Sequence, residues 1–381
     1  MACTFFDSEE ALDAVSSEWD ALAVAAGRPY CSPAWMRAWW RAASPSGARL
    51  CVGVVRDGAR VMGIAPLFTS PRGAESEARL LCAGMSTRLD LLALDDEHER
   101  VSQAFAEALA SLRPRLRALV FEGVERSSPW PRLIAASWPA RLRPRVKTAL
   151  ELPAPTVDLQ HGFDAWLASR SRSFRRELLR VRRRWQELGA VIELSPPGRL
   201  DQDLEHLERL HRARWSSRGG SSNIDAGRRR MLAEAGRELL PTGRFRLFTV
   251  RVKGDVAAAE LFVSAGGVVS AWGGGFDERW LSLSPSIVAV AAAVEDACAR
   301  GERCLDLGEG AEPFKLRFGE AASPVVWTRL YPRTRRYPLT RAGVVPHELR
   351  HAIRRRLSPA RRAQLKRLAA RISPRRAKSP A

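Results

Sequence analysis

The chain has 381 residues, of which 45% are apolar, and its formal net charge is +20. This length predicts two domains, each with enough apolar residues for a core of its own. No run of about 18 apolar residues occurs, and the acidic start MACTFFDSEEALD differs from a secretory signal. These features argue against a membrane-spanning or secreted protein, and we expect a cytoplasmic one.

The cysteines and histidines do not predict a metal site. Six cysteines lie far apart without a C-x-x-C pair, and the six histidines form no ligand cluster. This spacing argues against both a zinc site and a disulfide framework.

The positive charge is concentrated at the end of the chain. Residues 333–381 hold 16 Lys and Arg and a single acid, Glu348, whereas residues 1–332 are close to neutral for their size. We therefore expect a globular body followed by a basic tail.

Apolar periodicity and turn residues predict a mixed set of elements in the first half of the chain. Two helices are expected first, and the Arg56-Asp57-Gly58 turn indicates a β-hairpin after them. The predicted helices cover residues 9–26, a segment starting at Ser32-Pro33, 97–112 and 131–137; the predicted strands cover 50–55, 61–68, 89–94, 117–121 and 144–155.

The second half repeats this order of elements. The predicted helices cover 162–188, 204–215, 285–300 and 313–318, and the predicted strands cover 245–252, 256–263, 268–272, 304–307 and 324–330. The hairpins RLCVGVVRDGARVMGIAPLF and RFRLFTVRVKGDVAAAELFV match in length, turn position and apolar pattern. We therefore predict two similar α/β domains with mixed sheets at residues 1–155 and 156–332, and a basic helical tail at 333–381.

One helix between the two halves is unusually rich in arginine. Its apolar residues follow a spacing typical of a buried stripe, and eight arginines between Arg170 and Arg184 occupy the remaining positions. These arginines could bind a phosphorylated ligand or a nucleic acid backbone, or they could form an ordinary solvated face. The sequence leaves both interpretations open.

Two segments near the end of the second domain are candidates for a functional site. Ser284 and Pro285 begin a helix after Gly273, Gly274 and Gly275, and Ser286 adds a hydroxyl in its first turn. Such a helix start can bind phosphate, although ordinary capping explains the same residues.

The second segment follows a predicted strand end. Asp306 and Glu309 alternate there with glycines, and Lys315 comes shortly after them. A carboxylate at this position could take a proton from an attacking amine, or it could cap the short helix that follows.

Several spaced motifs of the chain resemble a known family. They are SPAWMRAWW, VMGIAPL, SFRRELLRVRRRWQELGAVIEL, LERLHRARW, the Ser-Pro helix start and DLGEGAEPFKLRFG. Together they resemble GNAT-superfamily acyltransferases of the CelD-like group, which is associated with cellulose biosynthesis. More remotely, they are similar to the Fem-type peptidyl transferases.

This resemblance implies two tandem GNAT-like domains and an N-acyltransferase. The acceptor would be an amine on a small molecule, a peptide or a polysaccharide, and it would attack acetyl-CoA or another acyl-CoA directly. The resemblance implies Gly273–Gly275 and Ser284–Ser286 as cofactor-binding residues, and it matches Asp306, Gly308 and Lys315 to a family pattern. We take Asp306, Glu309 and Lys315 as catalytic candidates and expect no metal.

The sequence also departs from the family pattern. The glycine-containing pyrophosphate signature is absent before the Ser-Pro helix, and Ser286 stands where relatives have glycine. The N-terminal domain has no such loop, so we expect a site only in the second domain. A Fem-like transferase that uses aminoacyl-tRNA and a non-catalytic scaffold that binds nucleic acid or an anionic surface are the alternative functions.

The basic tail predicts two short helices with narrow apolar stripes. The stripes are Leu349, Ile353 and Leu357, and Leu365, Leu368 and Ile372. Such a segment could bind RNA or an anionic membrane surface, which would place the protein at the periphery of the inner membrane, or it could remain solvated.

Overall fold

The computed structural model describes residues 1–216, 224–321, 323–334 and 337–338. Residues 1–332 form one compact unit. The two helices predicted for the tail lie outside the described residues.

The described part of the chain contains strands that assemble into two sheets. The strands are β1 (Ala2–Phe6), β2 (Arg49–Asp57), β3 (Arg60–Arg72), β4 (Glu75–Leu80), β5 (Leu92–Ala93), β6 (Leu116–Glu125), β7 (Arg145–Leu152), β8 (Thr156–Asp158), β9 (Val191–Leu194), β10 (Phe245–Val252), β11 (Asp255–Ala265), β12 (Val268–Phe276), β13 (Cys304–Asp306) and β14 (Val325–Tyr331).

Helices pack against both sheets. They are α1 (Glu9–Asp13), α2 (Ser16–Ala25), α3 (Pro33–Ala43), α4 (His98–Ser111), α5 (Trp130–Ser137), α6 (Gly162–Ser169), α7 (Arg172–Glu187), α8 (Leu200–Ser216), α9 (Ala226–Leu239), α10 (Pro285–Ala299) and α11 (Lys315–Phe318). The mixed α/β fold predicted from the sequence is confirmed.

The two sheets repeat one arrangement of strands. The first has the order β1-β2-β3-β4-β6-β14-β7, with β5 beside β3, and the second has the order β8-β13-β12-β11-β10-β9. In the first, β2, β3 and β4 are antiparallel and β4 runs parallel to β6. In the second, β10, β11 and β12 are antiparallel and β12 runs parallel to β13. In each sheet a long helix, α4 or α10, connects the parallel pair.

One strand lies in the other sheet from the one that the predicted domains imply. Strand β14 was expected to end the second domain, but it pairs with β6 and β7 in the first sheet. The short β8, at the start of the predicted second domain, pairs with β13 in the second sheet. The apolar pattern of a strand shows that it is buried, but it does not show which sheet buries it. The segment 156–332 is therefore not self-contained.

The predicted helix over 162–188 is interrupted near Arg170. The backbone of Arg170 is extended, and the Ser171 side chain accepts a hydrogen bond from the Phe174 amide at 3.2 Å, which starts α7 as a new helix. Its predicted apolar stripe is buried in the structure: Phe174, Leu178, Val181 and Trp185. The sequence analysis did not predict α9, β1, β4, β8 or β9.

A continuous core joins the two sheets within residues 1–332. Trp35 and Trp39 of α3 belong to the same buried cluster as Leu204 and Leu207 of α8 and Met231 of α9. Burial of the apolar side chains in this cluster is the main stabilising contribution to the unit. The cluster packs α8 and α9 against the second sheet, where the candidate site lies.

Candidate functional site

The glycine run is part of a strand. Gly273, Gly274 and Gly275 lie within β12 and pair with Leu261, Glu260 and Ala259 of β11, and the register shifts beside Trp272. The sequence analysis ended this strand at residue 272, whereas the structure extends it through the glycines to Phe276. Glycine is required in this strand for close packing.

Two of the three glycines make room for neighbouring groups. A Cβ at Gly274 would lie 1.7 Å from Oε2 of Glu260, and a Cβ at Gly275 would lie 2.4 Å from the backbone nitrogen of His211. A Cβ at Gly273 would meet no atom within 4 Å. Gly274 therefore lets the Glu260 carboxylate cross over β12, and Gly275 lets α8 approach the strand closely.

The Glu260 carboxylate has an unusual environment. Burial raises its pKa from 4.5 to about 7, while the nearby Ser286 hydroxyl and the Arg214 guanidinium oppose the shift. Arg214 itself lies over the ring of Phe276, 4.8 Å from its centroid. A carboxylate with such a pKa can both accept and release a proton near neutral pH.

His211 lies on the α8 side of the same strand. Its Nδ1 is 3.1 Å from the carbonyl oxygen of Gly274, and burial lowers the pKa of its imidazole. This contact holds α8 against β12 at Gly274, the same residue that makes room for Glu260.

Helix α10 begins at the residues that the sequence identified. Ser284 is its N-cap residue and adopts a left-handed backbone (φ +48°), Pro285 is the first helical residue, and Ser286 follows in the first turn. The Ser284 side chain makes no capping hydrogen bond, so it differs here from the expected N-cap geometry. The Leu283 carbonyl just before the helix accepts a hydrogen bond from Nε1 of Trp185 at 3.0 Å.

The segment that leads to α10 carries little free positive charge. Its one basic residue, Arg279, pairs with Asp277 at 2.7 Å and with Asp255 at 3.2 Å. The preceding strand ends at Phe276, and a 3-10 helix covers Glu278–Leu283. Backbone amides and the helix dipole are thus the groups that this helix start offers to an anion.

Strands β12 and β13 separate along their length. Their parallel ladder covers only Val268–Ser270 and Cys304–Asp306. After Asp306 the chain turns away, because the amides of Leu307 and Gly310 donate to the carbonyls of Pro155 and Pro153. In the described part of the chain, the second half of β12 therefore has no ladder with β13, and this edge lies near the start of α10.

Asp306 lies away from this edge of β12. Its side chain is 1% exposed, Oδ2 lies 3.1 Å from Nε of Arg88, and Oδ1 accepts from the Gly308 amide at 3.1 Å. Arg88 also binds Glu125, which pairs with Arg28 at 2.9 Å. A buried carboxylate held by a guanidinium is unsuited to take a proton from an incoming amine. We therefore assign Asp306 to an ion-pair network that connects the two sheets, in place of the catalytic role expected from the sequence.

Glu309 and Lys315 come together beyond Asp306. The Lys315 ammonium donates to the Glu309 carbonyl oxygen at 2.6 Å and pairs with the Glu312 carboxylate at 3.0 Å. Burial raises the pKa of the Glu309 carboxyl, Lys315 opposes this shift, and Glu312 adds to it. The structure thus joins two of the three catalytic candidates in one cluster and separates the third.

The catalytic and cofactor-binding candidates from the sequence do not include Glu260, His211 or Arg214. One sequence signal was available for Glu260, because it is the single acid in the otherwise apolar run VAAAELFV. The carboxylate of an acid in such a run is either exposed to solvent at a sheet edge or buried with a functional role. Glu260 can be buried because Gly274 makes room for its carboxylate, and Gly274 is its neighbour only through strand pairing.

Within the described ranges, no group of three or more His, Cys, Asp or Glu side chains is arranged to hold a metal ion. Within the same ranges, no helix is long and apolar enough to cross a membrane.

The described site lies within a segment that matches a known family. Residues 172–316 match the family model for an acetyltransferase (GNAT) domain. No protein of curated function matches the chain.

Solved structures show a similar fold. FemX is 13% identical over 90% of this chain and 99% of its own, with a TM-score of 0.63. A conserved protein of unknown function from Bacteroides thetaiotaomicron is 13% identical over 86% and 99%, with a TM-score of 0.53. The C-terminal domain of an Agrobacterium fabrum protein assigned as a lysylphosphatidylglycerol synthetase is 12% identical over 83% and 91%, with a TM-score of 0.52.

At these identities the likeness concerns the fold alone, and it extends over both sheets of the unit. The fold is GNAT-like, and the match to the acetyltransferase (GNAT) family model is confined to residues 172–316.

Proposed function

We propose that the protein is a GNAT-type N-acyltransferase of the CelD-like group. It transfers an acyl group from a phosphopantetheine thioester such as acyl-CoA to an amine acceptor. One observation carries the proposal: the Glu260 carboxyl, with a pKa of about 7, crosses over Gly274 beside the first turn of α10. A general base needs a pKa of this kind near neutral pH.

In the proposed reaction the acceptor nitrogen attacks the thioester carbonyl carbon. A carbon–nitrogen bond forms, the carbon–sulfur bond breaks, and the thiolate leaves with the electron pair. Glu260 accepts the proton that the amine loses and returns it to the thiolate, so that a free thiol and an amide are the products. No acyl-enzyme forms, and Glu260 is regenerated after each turnover.

The remaining candidates take supporting roles in this proposal. At the Ser284-Pro285-Ser286 start of α10, the backbone N–H of Ser286 and the helix dipole would bind the phosphates of a donor, since the Ser284 N–H donates to the Leu281 carbonyl oxygen and Pro285 has no N–H. Gly274 and Gly275 shape the strand below them. Glu309 and Lys315 stay catalytic candidates on the far side of the separation between β12 and β13.

A Fem-like transferase that uses aminoacyl-tRNA is the second candidate function. The similarity to FemX, which covers 99% of that chain, favours it. The same base and the same direct attack would serve an aminoacyl ester, with the tRNA hydroxyl as the leaving group. A scaffold without catalytic activity is the third alternative. The cytoplasmic or membrane-peripheral location stays a prediction, and so does binding of RNA or lipid by the tail.

Thiol release tests the proposal directly. The purified protein is incubated with a panel of acyl-CoAs and amines, and free thiol is followed with a chromogenic disulfide. We expect acceptor-dependent thiol release that Glu260→Gln abolishes and that Glu295→Gln, an exposed carboxylate on the outer part of α10, leaves intact. Transfer of the aminoacyl group from a charged tRNA to the amine, with no thiol release from any acyl-CoA, would favour the Fem-like alternative instead.

A further inference from the structure

The outer face of α7 carries a row of arginines without partners. Arg172, Arg176, Arg180 and Arg184, which we call the arginine face, are exposed, and their side chains form no ion pair or hydrogen bond with any residue that the structure describes. Other charged residues of α7 are paired: Arg182 with Glu295, Arg183 with Glu187, and Glu177 with Arg317.

The arginine face has a regular geometry. Its members follow one another at every fourth residue, so they extend over about 18 Å along the helix at 1.5 Å per residue. They lie opposite the buried stripe that begins at Phe174. Leu179 lies among them with its side chain 57% exposed. The face therefore combines four unpaired guanidinium groups with one exposed apolar side chain.

One end of the arginine face lies beside the candidate site. Trp185 directly follows Arg184, and its Nε1 donates to the carbonyl oxygen of Leu283 at 3.0 Å. Ser284, the residue at which α10 begins, comes next in the chain. A macromolecule bound to the arginine face would therefore reach the start of α10.

The helix start itself gives the phosphates of a free nucleotide a weak anchor. The single basic side chain of residues 277–286, Arg279, is already neutralised by Asp277 and Asp255. A donor that binds mainly through its nucleotide phosphates would need unpaired positive charge at the start of α10. A donor that binds through a carrier protein would need positive charge on a protein surface, and the arginine face of α7 provides unpaired positive charge.

We propose that the arginine face docks a small acidic carrier protein that presents the acyl group on a phosphopantetheine arm. This inference rests on the proposed acyl transfer and names the form of its donor. The carboxylates of an acidic helix pair with the guanidinium groups, because arginine binds carboxylates in a bidentate geometry. The arm then passes the start of α10 and places the thioester near Glu260.

Other polyanions fit this face less well. Binding of single-stranded nucleic acid uses aromatic side chains on which bases stack, and the outer face of α7 has none. A helix that lies on a membrane turns its apolar face to the lipid, but the apolar face of α7 is buried in the protein. Leu179 alone is a small contact for lipid and a suitable one for a protein helix.

The test compares two donors and two triple variants of the full chain. One variant is Arg176→Ala, Arg180→Ala and Arg184→Ala. The matched control removes three exposed arginines of the first sheet and its connection: Arg49→Ala, Arg60→Ala and Arg115→Ala. Each protein is assayed with acetyl-CoA and with a recombinant acetylated acyl carrier protein, and circular dichroism verifies folding.

We expect the α7 variant to lose about 10- to 100-fold in kcat/KM with the carrier-protein donor, a range that electrostatic steering of association covers. Its kcat/KM with acetyl-CoA should change less than about twofold, because the face acts on docking. The control variant should match the wild-type protein with both donors. Equal activity of all three proteins with the carrier-protein donor would overturn the proposal.

A binding measurement separates this inference from the proposed function. Fluorescence anisotropy of a labelled holo carrier protein is recorded with each variant at low and at physiological ionic strength. Loss of binding in the α7 variant alone supports docking even if no transfer is detected, in which case the proposed function fails by itself. Binding of a single-stranded RNA oligomer or of phosphatidylglycerol vesicles through the same arginines, without binding of the carrier protein, overturns the inference.

Discussion

Replacement of Glu260 by glutamine should make the protein more stable and less active at the same time. The side chain keeps its shape and loses its ionisation. Burial raises the pKa of the carboxyl from 4.5 to about 7, which corresponds to about 3 kcal/mol by which the ionised form weakens the folded state. Because the pKa is higher in the folded chain than in the unfolded chain, the folded protein holds the proton more tightly. Its free energy of unfolding therefore falls as the pH rises from about 4.5 to about 7.

Glutamine carries no charge and escapes this penalty. We expect Glu260→Gln to have a free energy of unfolding up to about 3 kcal/mol higher than the wild-type protein at alkaline pH, with the difference shrinking toward acidic pH. Its kcat/KM should fall by about 10²- to 10⁴-fold, which is the usual contribution of a general base. The wild-type kcat/KM should rise with pH and level off above a midpoint near the carboxyl pKa of about 7. The variant should lack this dependence.

Urea denaturation at several pH values and a pH–rate profile measure both effects. Glu295→Gln, which removes an exposed carboxylate from α10, is the matched control and should show neither change. A Glu260→Gln protein that is less stable than wild type in alkaline buffer would refute the reasoning. A stability difference that does not vary with pH would do so as well.

Four further substitutions test the site. Gly274→Ala would place a methyl group 1.7 Å from Oε2 of Glu260, so we expect the carboxylate to be displaced and kcat/KM to fall. Gly273→Ala, with no atom within 4 Å of its Cβ, should have a Tm closer to wild type in thermal denaturation. Asp306→Asn weakens a buried ion pair and should lower the free energy of unfolding by about 3 kcal/mol; lost turnover at unchanged stability would restore its catalytic role. Lys315→Ala loses a partly exposed pair worth about 1 kcal/mol or less, and we expect steady-state kinetics to show a larger effect on turnover than denaturation shows on stability.

The sequence alone determined the local features of this protein. The hairpin of β2 and β3 followed from alternating apolar residues around a short turn, and the buried stripe of α7 followed from its spacing. The start of α10 at Ser284-Pro285 followed from the preferences of helix ends. These features could be predicted because periodicity and capping depend on residues that are neighbours in the chain.

Only the tertiary structure decided which of these elements meet. β14 pairs in the first sheet although chain order places it with the second, because many apolar strands can pair equally well in isolation. Asp306 became structural because folding buries it against Arg88, which is remote in the sequence. Glu260 became the leading candidate base because Gly274, across a strand pair, leaves space above it. Burial and strand pairing are properties of the assembled chain, so the pKa of a side chain and the role that depends on it arise only when distant segments come together.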